Sequence, residues 1–308
     1  MTFVPRLFSR RTKDLVAGKL FILTTGLPFV VVIIIGGALL MRSRPILISK
    51  SIWDLIGGRI WQPLQGEFGF YPFIIGTIWV TVIAMLIAIP PCLLNALYLA
   101  EYARPVTRAL LKPLLDLLAG IPSVVYGVWG MIVIVPWVQQ ASPSLSKLLR
   151  IKVSNPTGYS VLAGGIVLAV MVAPVIISVV YEVVESVPDG LRQASLAVGA
   201  THWQTIKYAV IPEAIPGIIA AVVLGFSRAF GETMAVLMVV GNVPQVPTSI
   251  FEPAYPLTAL IANNYGEMMS IPLYDAALMG AALLLLVIMV IFNLISAMIL
   301  NRIIRHKY

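Results

Sequence analysis

The chain has 308 residues, 59% apolar and 11% charged, with a mean hydropathy of +0.97 and a formal net charge of +8. A soluble domain carries about 25% charged residues, so this chain cannot clothe a water-facing surface and belongs in a bilayer. That excludes a soluble enzyme, a secreted disulfide scaffold and a nucleic-acid module, and one cysteine (Cys92) with two histidines (His202, His306) argues against disulfides or a His/Cys metal cluster.

A basic tail, residues 1–19, carries Arg6, Arg10, Arg11, Lys13 and Lys19. Residues 20–41 follow without a charge, which is longer than the roughly 7–15-residue core of a signal peptide, so the segment is read as a retained anchor. A membrane crossing needs about 20 apolar residues, and five further stretches meet that length: 73–97, 117–138, 160–181, 215–240 and 276–300. The expected fold is an all-α polytopic membrane protein of six transmembrane helices, residues 20–308 forming one membrane domain in contact with lipid. Counting Lys and Arg outside the spans gives 13 on the side of the N-terminus and 7 on the other. Positive-inside therefore places both termini in the cytoplasm, against the opposing group Arg42, Arg44, Lys50, Arg59, Lys147, Arg150 and Lys152.

Pro90-Pro91 is expected to kink or end span two, with Asn95 and Glu101 following it. Gly120-Ile121-Pro122-Ser123, beside Tyr126, places a helix breaker near the start of span three. Such a break is tolerated in lipid only where protein or a cavity satisfies the freed backbone, and a simple proline kink in a packed helix is the plainer alternative. Trp53 and Trp61 suit an interfacial belt. Met268, Met269, Met279 and Met289 read as packing filler.

Residues 182–213 form the most polar interior stretch. Ser186 and Asp189 have capping-box spacing, and Pro188 fits a first helical turn. Leu191, Ala194, Ser195 and Val198 then fall on one face, Gly199 is a natural stop, Thr201 with Gln204 opens a second short helix, and Pro212 closes the insert. The insert is a loop packed on its own bundle, a helix-turn-helix DNA reader, or a docking helix for a cytoplasmic partner. Its net negative charge (Glu182, Glu185, Asp189 and Glu213 against Arg192 and Lys207) speaks against DNA, whose binding rests on phosphate neutralisation.

Arg228 and Glu232 are the only charges placed inside a span, and an arginine near a bilayer midplane costs at least about 2.5–3.5 kcal/mol. Their i, i+4 spacing puts them on one helical face. They are either a salt bridge that locks the bundle or an anion path. In the second case the guanidinium forks onto oxyanion oxygens, and the carboxylate accepts the O–H of a partly protonated phosphate. Ser227 and Thr233 add hydroxyls nearby.

Four runs carry a resemblance to a known family. Gln193-Ala194-Ser195, Gly199 and Ile211-Pro212 resemble the EAA loop of ABC importer permeases, E-A-A-x3-G-x9-I-x-L-P. Gln193 stands for Glu, Ser195 for Ala, Ala209 for Ile and Ile211 for Leu. Ser227-Arg228-Ala229-Phe230-Gly231-Glu232-Thr233-Met234-Ala235-Val236 is similar to the R-A-x-G-E-T-M-A-V segment of phosphate-specific ABC permeases of the PstC type. Gly120-Ile121-Pro122-Ser123-Val124-Val125-Tyr126-Gly127 and Gly241-Asn242-Val243-Pro244-Gln245-Val246-Pro247-Thr248-Ser249 are similar to that family too.

The resemblance implies a type I ABC importer permease fold with a cytoplasmic coupling helix, in a bacterial plasma membrane. It implies a PstA-type permease partner, a PstB-type ATPase dimer and a PstS-type phosphate-binding protein. Arg228, Glu232, Ser227, Thr233, Ser123 and Tyr126 are the expected path residues, and Gln193, Ala194, Ser195, Gly199, Ile211 and Pro212 the expected ATPase-coupling residues. No Gly-x4-Gly-Lys-[Ser/Thr] loop occurs in the chain, so ATP and Mg are expected on the partner ATPase and no cofactor here. Other oxyanions, such as molybdate or sulfate, and a partner-independent secondary transporter or channel are the alternatives.

Overall fold

A computed structural model describes residues 10–149, 157–266 and 270–305; Arg6, Arg150, Lys152, Met268, Met269, His306 and Lys307 lie outside them. Among the described residues, six helices are long and apolar enough to cross a membrane. Helix α1 (Arg10–Ser49) starts inside the basic tail and overshoots residue 41 by two turns. The overshoot has a packing cause: Ser43 and Ile46 are fully buried, facing Gly280 of α13 (Pro272–Arg305). The apolar residues before them, Leu20 to Met41, are exposed, as expected of a helix that borders lipid or another subunit.

A short helix α2 (Ile52–Gly57) and a two-residue hairpin, β1 (Trp61–Gln62) and β2 (Glu67–Phe68), follow α1. Trp61 is not a belt residue. Its ring meets Phe73 at 5.0 Å, Phe68 at 5.6 Å and Tyr274 at 5.8 Å, all edge-on. These rings form a second core at this end of the molecule, together with Ile46, Leu55 and Leu257. Trp53 is 82% exposed. Two of the basic residues opposing the charge rule are paired here: Arg42 with Asp275 and Lys50 with Glu67, both at 3.2 Å.

Helix α3 (Tyr71–Leu97) does not end at Pro90-Pro91 but carries both prolines inside it. The Asn95 side-chain amide donates to the Pro91 carbonyl at 2.8 Å, and Cys92 is buried against α7. The helix then loosens into a π turn, Tyr98–Tyr102.

The third span differs most from its expected 117–138. It starts later, at Ser123, and runs to Ser144 through α5 (Ser123–Trp129), a π turn (Gly130–Ile134) and most of α6 (Val135–Leu149), while the first expected residues belong to a separate preceding helix, α4 (Pro105–Ala119). Pro122 has no N–H to donate, and it pushes Ile121 out of the helical region.

Helix α7 (Val161–Glu185) is the hub. Ser160 caps its start, accepting from the Ala163 amide at 3.2 Å. Glycines let its neighbours approach closely: a Cβ at Gly165 would strike Ile83 of α3, one at Gly217 would strike Val183, and one at Gly225 would strike Ile176. The main core, from Val80 through Val172 to Val240, is built around this helix.

The insert contains α8 (Asp189–Ala197) and α9 (His202–Thr205). The expected Ser186–Asp189 capping box does not form: Ser186 ends α7, and Pro188 stands at the cap without a side-chain bond. The Thr201–Gln204 box does form, with reciprocal bonds of 2.8 and 3.3 Å. Nor does Pro212 close the insert. α9, a π turn (Ile206–Val210) and α10 (Ile211–Phe230) form one helix, His202–Phe230, because the Ile211 amide reaches back five residues to Ile206 and leads directly into Pro212. Span five therefore starts at His202. It also stops at Phe230, not 240; a turn leads into the single-turn helix α11 (Met234–Leu237), and α12 (Leu257–Asn264) precedes α13.

Candidate functional site

The depth of Arg228 follows from helix packing. Gly217 and Gly225 of α10 face Val183 and Ile176 of the antiparallel α7. Three residues beyond Gly225, about 4.5 Å at the α-helical rise, Arg228 stands level with Ala173, the centre of α7. On the α7 side, Ala221, Gly225 and Ala229 are buried, whereas Leu224 and Arg228 lie on the exposed flank of α10.

The break between α4 and α5 meets Arg228 at that level. α4 lies against the α8 end of α7, where Lys112 reaches Glu182 at 3.9 Å and lies over the Tyr181 ring at 5.5 Å. It stops at Ala119, within reach of Arg228. The last carbonyls of any helix lack intrahelical amide partners, and here side chains add donors to the 3.3 Å bond that Leu118 takes from the Ile121 amide. The Tyr126 hydroxyl donates to the Leu118 carbonyl at 2.9 Å, and Arg228 Nη2 donates to the Ala119 carbonyl at 3.4 Å. Ser123 opens α5 in the same break, half-buried. A guanidinium has five N–H donors. Among the described residues, Arg228 has this one long hydrogen bond and no ion pair, so its fork is available to an oxyanion.

Glu232 is not the helical neighbour its spacing suggested. Because α10 ends at Phe230, Glu232 lies in the turn beyond it. Its carboxylate accepts from the Ala235 amide in the first turn of α11 at 3.2 Å, and its carbonyl accepts from the Thr258 hydroxyl at 2.8 Å. Glu232 lines a tight crevice of about 10 Å³ with Thr77, Thr81 and Thr258 among apolar neighbours such as Leu168 and Phe230. Thr233 donates locally to the Gly231 carbonyl at 3.4 Å, and Ser227 turns towards α13, donating to Asn293 Oδ1 at 3.4 Å. The structure thus gathers Arg228, Tyr126 and Ser123 at the break and sends Glu232, Thr233 and Ser227 elsewhere. Asn293 was missed by sequence reasoning; its signal was an amide within the otherwise apolar sixth span.

The coupling residues lie at the opposite end of the same helix. Gln193, Ala194 and Gly199 are exposed, and Ser195 Oγ bonds Thr205 Oγ1 at 3.0 Å, tying α8 to α9. Gly199 has φ +88°, and the amides of Gly199 and Ala200 bond the carbonyls of Leu196 and Ser195 at 2.9 and 3.3 Å, a Schellman stop. Ile211 and Pro212 fall in the first turn of α10, away from the α8 tip. That tip instead exposes Leu196, Val198 and Trp203, with Val198 85% accessible.

Six crossings, a guanidinium with one long bond to protein beside the α4–α5 break, and an exposed apolar tip next to the far end of the same long helix are the features of a membrane subunit of a solute transporter. The chain belongs to the family of binding-protein-dependent transport system inner membrane components, whose model matches residues 92–307. Among its relatives are a probable ABC transporter permease protein, YqgH, of Bacillus subtilis, 40% identical over 79% of this chain and 75% of that one. Another is the phosphate transport system permease protein PstC of Haemophilus influenzae, 33% identical over 92% and 93%. The PstC of Mesorhizobium japonicum is 34% identical over 83% and 80%. The fold is that of solved ABC importer permeases: a bacterial alginate ABC transporter (TM-score 0.60, 18% identical, 96% of each chain) and the MetNI methionine ABC transporter (TM-score 0.56, 19% identical, 79% and 99%).

Proposed function

We propose that this chain is the permease half of an ATP-driven importer of inorganic phosphate. The observation that carries the reading is the Arg228 guanidinium, held level with the centre of α7 on the exposed flank of α10, with a single long bond to protein among the described residues. On a lone chain that flank is a surface; between two permease halves it lines a passage. The phosphate assignment is supported by the relatives named PstC. The companion subunits are a PstA-type permease, a PstB-type ATPase pair that holds ATP and Mg, and a PstS-type binding protein. This chain performs no hydrolysis.

The α8 end faces the cytoplasm in this reading, with both termini on that side. ATPase closure presses on the tip formed by Leu196, Val198 and Trp203, and the continuous helix His202–Phe230 carries that push. From His202 to Arg228 the lever is about 39 Å long. Rocking of this helix moves Arg228 relative to the α4 carbonyl it touches and exposes the anion to alternate sides. The dihydrogen or monohydrogen phosphate is held as an anion on the guanidinium fork, without any covalent step.

The test is uptake into liposomes containing the co-purified complex. Phosphate accumulation that requires ATP and the binding protein, and that excess sulfate or molybdate does not suppress, is expected. Uptake by this chain alone without nucleotide overturns the importer reading, and suppression by molybdate or sulfate overturns the substrate.

A further inference from the structure

Outside the anion site, the most heavily bonded charged group among the described residues is Arg192, on the buried side of α8. Its Nε and Nη2 both donate to Glu101 Oε1, at 3.2 and 2.9 Å. Nη2 also donates to the Val184 carbonyl at 2.8 Å, and Nη1 to the Val187 carbonyl and to Asp189 Oδ1, the latter at 3.2 Å. The Glu101 side chain is 5% exposed and that of Arg192 18%. Glu101 lies in the π turn that ends span two, and Val184 in the last turn of span four. The same π turn is held from two other directions. His202 Nε2 contacts the Glu101 carbonyl at 3.3 Å and its ring stands edge-on to Tyr102, while Arg108 donates to the carbonyls of Ala100 and Ala103 at 2.6 and 3.1 Å.

We infer that Arg192 is the positioning residue that joins the docking helix to spans two and four as one rigid body through its ion pair with Glu101, whose backbone carbonyl in turn holds His202 at the start of span five. The extension rests on the transport reading above and adds to it the specific joint by which a push on α8 reaches the helices on both sides of α7. Charge geometry decides the matter. A planar fork bonds a carboxylate and two carbonyls together, whereas a lysine offers one compact charge that serves fewer of them. A buried carboxylate that loses its partner is strongly disfavoured, so the pair resists opening while the bundle rocks. The Arg192–Glu101 contact spans 91 positions in sequence, and no local helix signal anticipates it.

Two measurements on the complex with its ATPase and second permease test this. The first is phosphate taken up per ATP hydrolysed in liposomes. Glu101→Gln, nearly isosteric, and Arg192→Gln are each expected to lower the ratio by about tenfold while ATP turnover stays within about twofold, with Arg192→Lys between them and the native chain. The second uses nitroxides on Ala194→Cys and Tyr98→Cys in a Cys92→Ala background. The native pair is expected to give one narrow distance distribution with and without ATP, and Glu101→Gln a distribution that broadens or shifts when ATP binds. An unchanged ratio with unchanged distances overturns the inference. So does failure of both variants to assemble, which makes the pair a folding element only. The distance measurement is independent of the solute carried, so a native complex that moves no phosphate removes the substrate reading and leaves this test standing.

Discussion

Tyr126 and Arg228 serve consecutive carbonyls at the end of one helix: the tyrosine hydroxyl takes Leu118 at 2.9 Å and the guanidinium takes Ala119 at 3.4 Å. The two side chains come from different spans, 102 positions apart, and meet because α4 stops at Ala119, just before Pro122, beside both of them. The tyrosine bond is short and its residue buried, which marks a structural cap; the arginine bond is long and its residue exposed, which leaves most of its N–H donors unused by protein. From this asymmetry the two residues are expected to respond differently to substitution.

Arg228→Gln removes the charge while keeping a donor. A hydrogen bond to a charged group is worth about 1.5–3 kcal/mol, so phosphate uptake is expected to fall on the order of 10–100-fold at unchanged assembly, measured as radiolabelled uptake into liposomes. Arg228→Lys is expected to recover part of it, since charge is kept and the fork lost. Full uptake in Arg228→Gln would leave the bundle without an anion site at this position.

Tyr126→Phe removes the shorter bond to the Leu118 carbonyl and leaves it the amide of Ile121 at 3.3 Å. The expected cost is about 0.5–1.5 kcal/mol of stability, read as a lower unfolding temperature of the detergent-solubilised chain. An unchanged midpoint would mean that the backbone amide alone satisfies that carbonyl.

The docking helix offers a matched pair of glycines with opposite expected signs. Neither Gly190 nor Gly199 has an atom within 4 Å of a built Cβ, so only backbone conformation matters. Gly199 sits at φ +88°, and Gly199→Ala is expected to destabilise by about 1–2 kcal/mol. Gly190, in the first turn of α8, has ordinary helical geometry, and Gly190→Ala is expected to stabilise by about 0.4–1 kcal/mol. Denaturant midpoints of the two variants, compared with the native chain, decide it.

Ala194 is exposed on α8, two positions from Leu196. A cysteine there, with Cys92 replaced, is expected to crosslink to a co-expressed ATPase subunit in at least one nucleotide state. Absence of a crosslink in every state removes the docking assignment.

The sequence by itself determined that the chain crosses a membrane, where most crossings lie, and that Gly199 and the Thr201–Gln204 pair punctuate the insert. These depend on local quantities: run length, absence of charge, a positive φ that glycine tolerates and a cap that closes over three residues. The extents of spans three and five depended on more than local hydropathy. A window of apolar residues does not show that Pro122 separates α4 from a crossing that begins only at Ser123, or that α10 ends at Phe230 and drops Glu232 into a turn. Spacing alone therefore paired Arg228 with Glu232, and the fold separated them. The Arg192–Glu101 joint and the Ser227–Asn293 contact lie 91 and 66 positions apart in the chain. Such partners are selected by which helix faces pack around α7, and that is settled only when side-chain volumes and unsatisfied carbonyls across all the spans are matched at once.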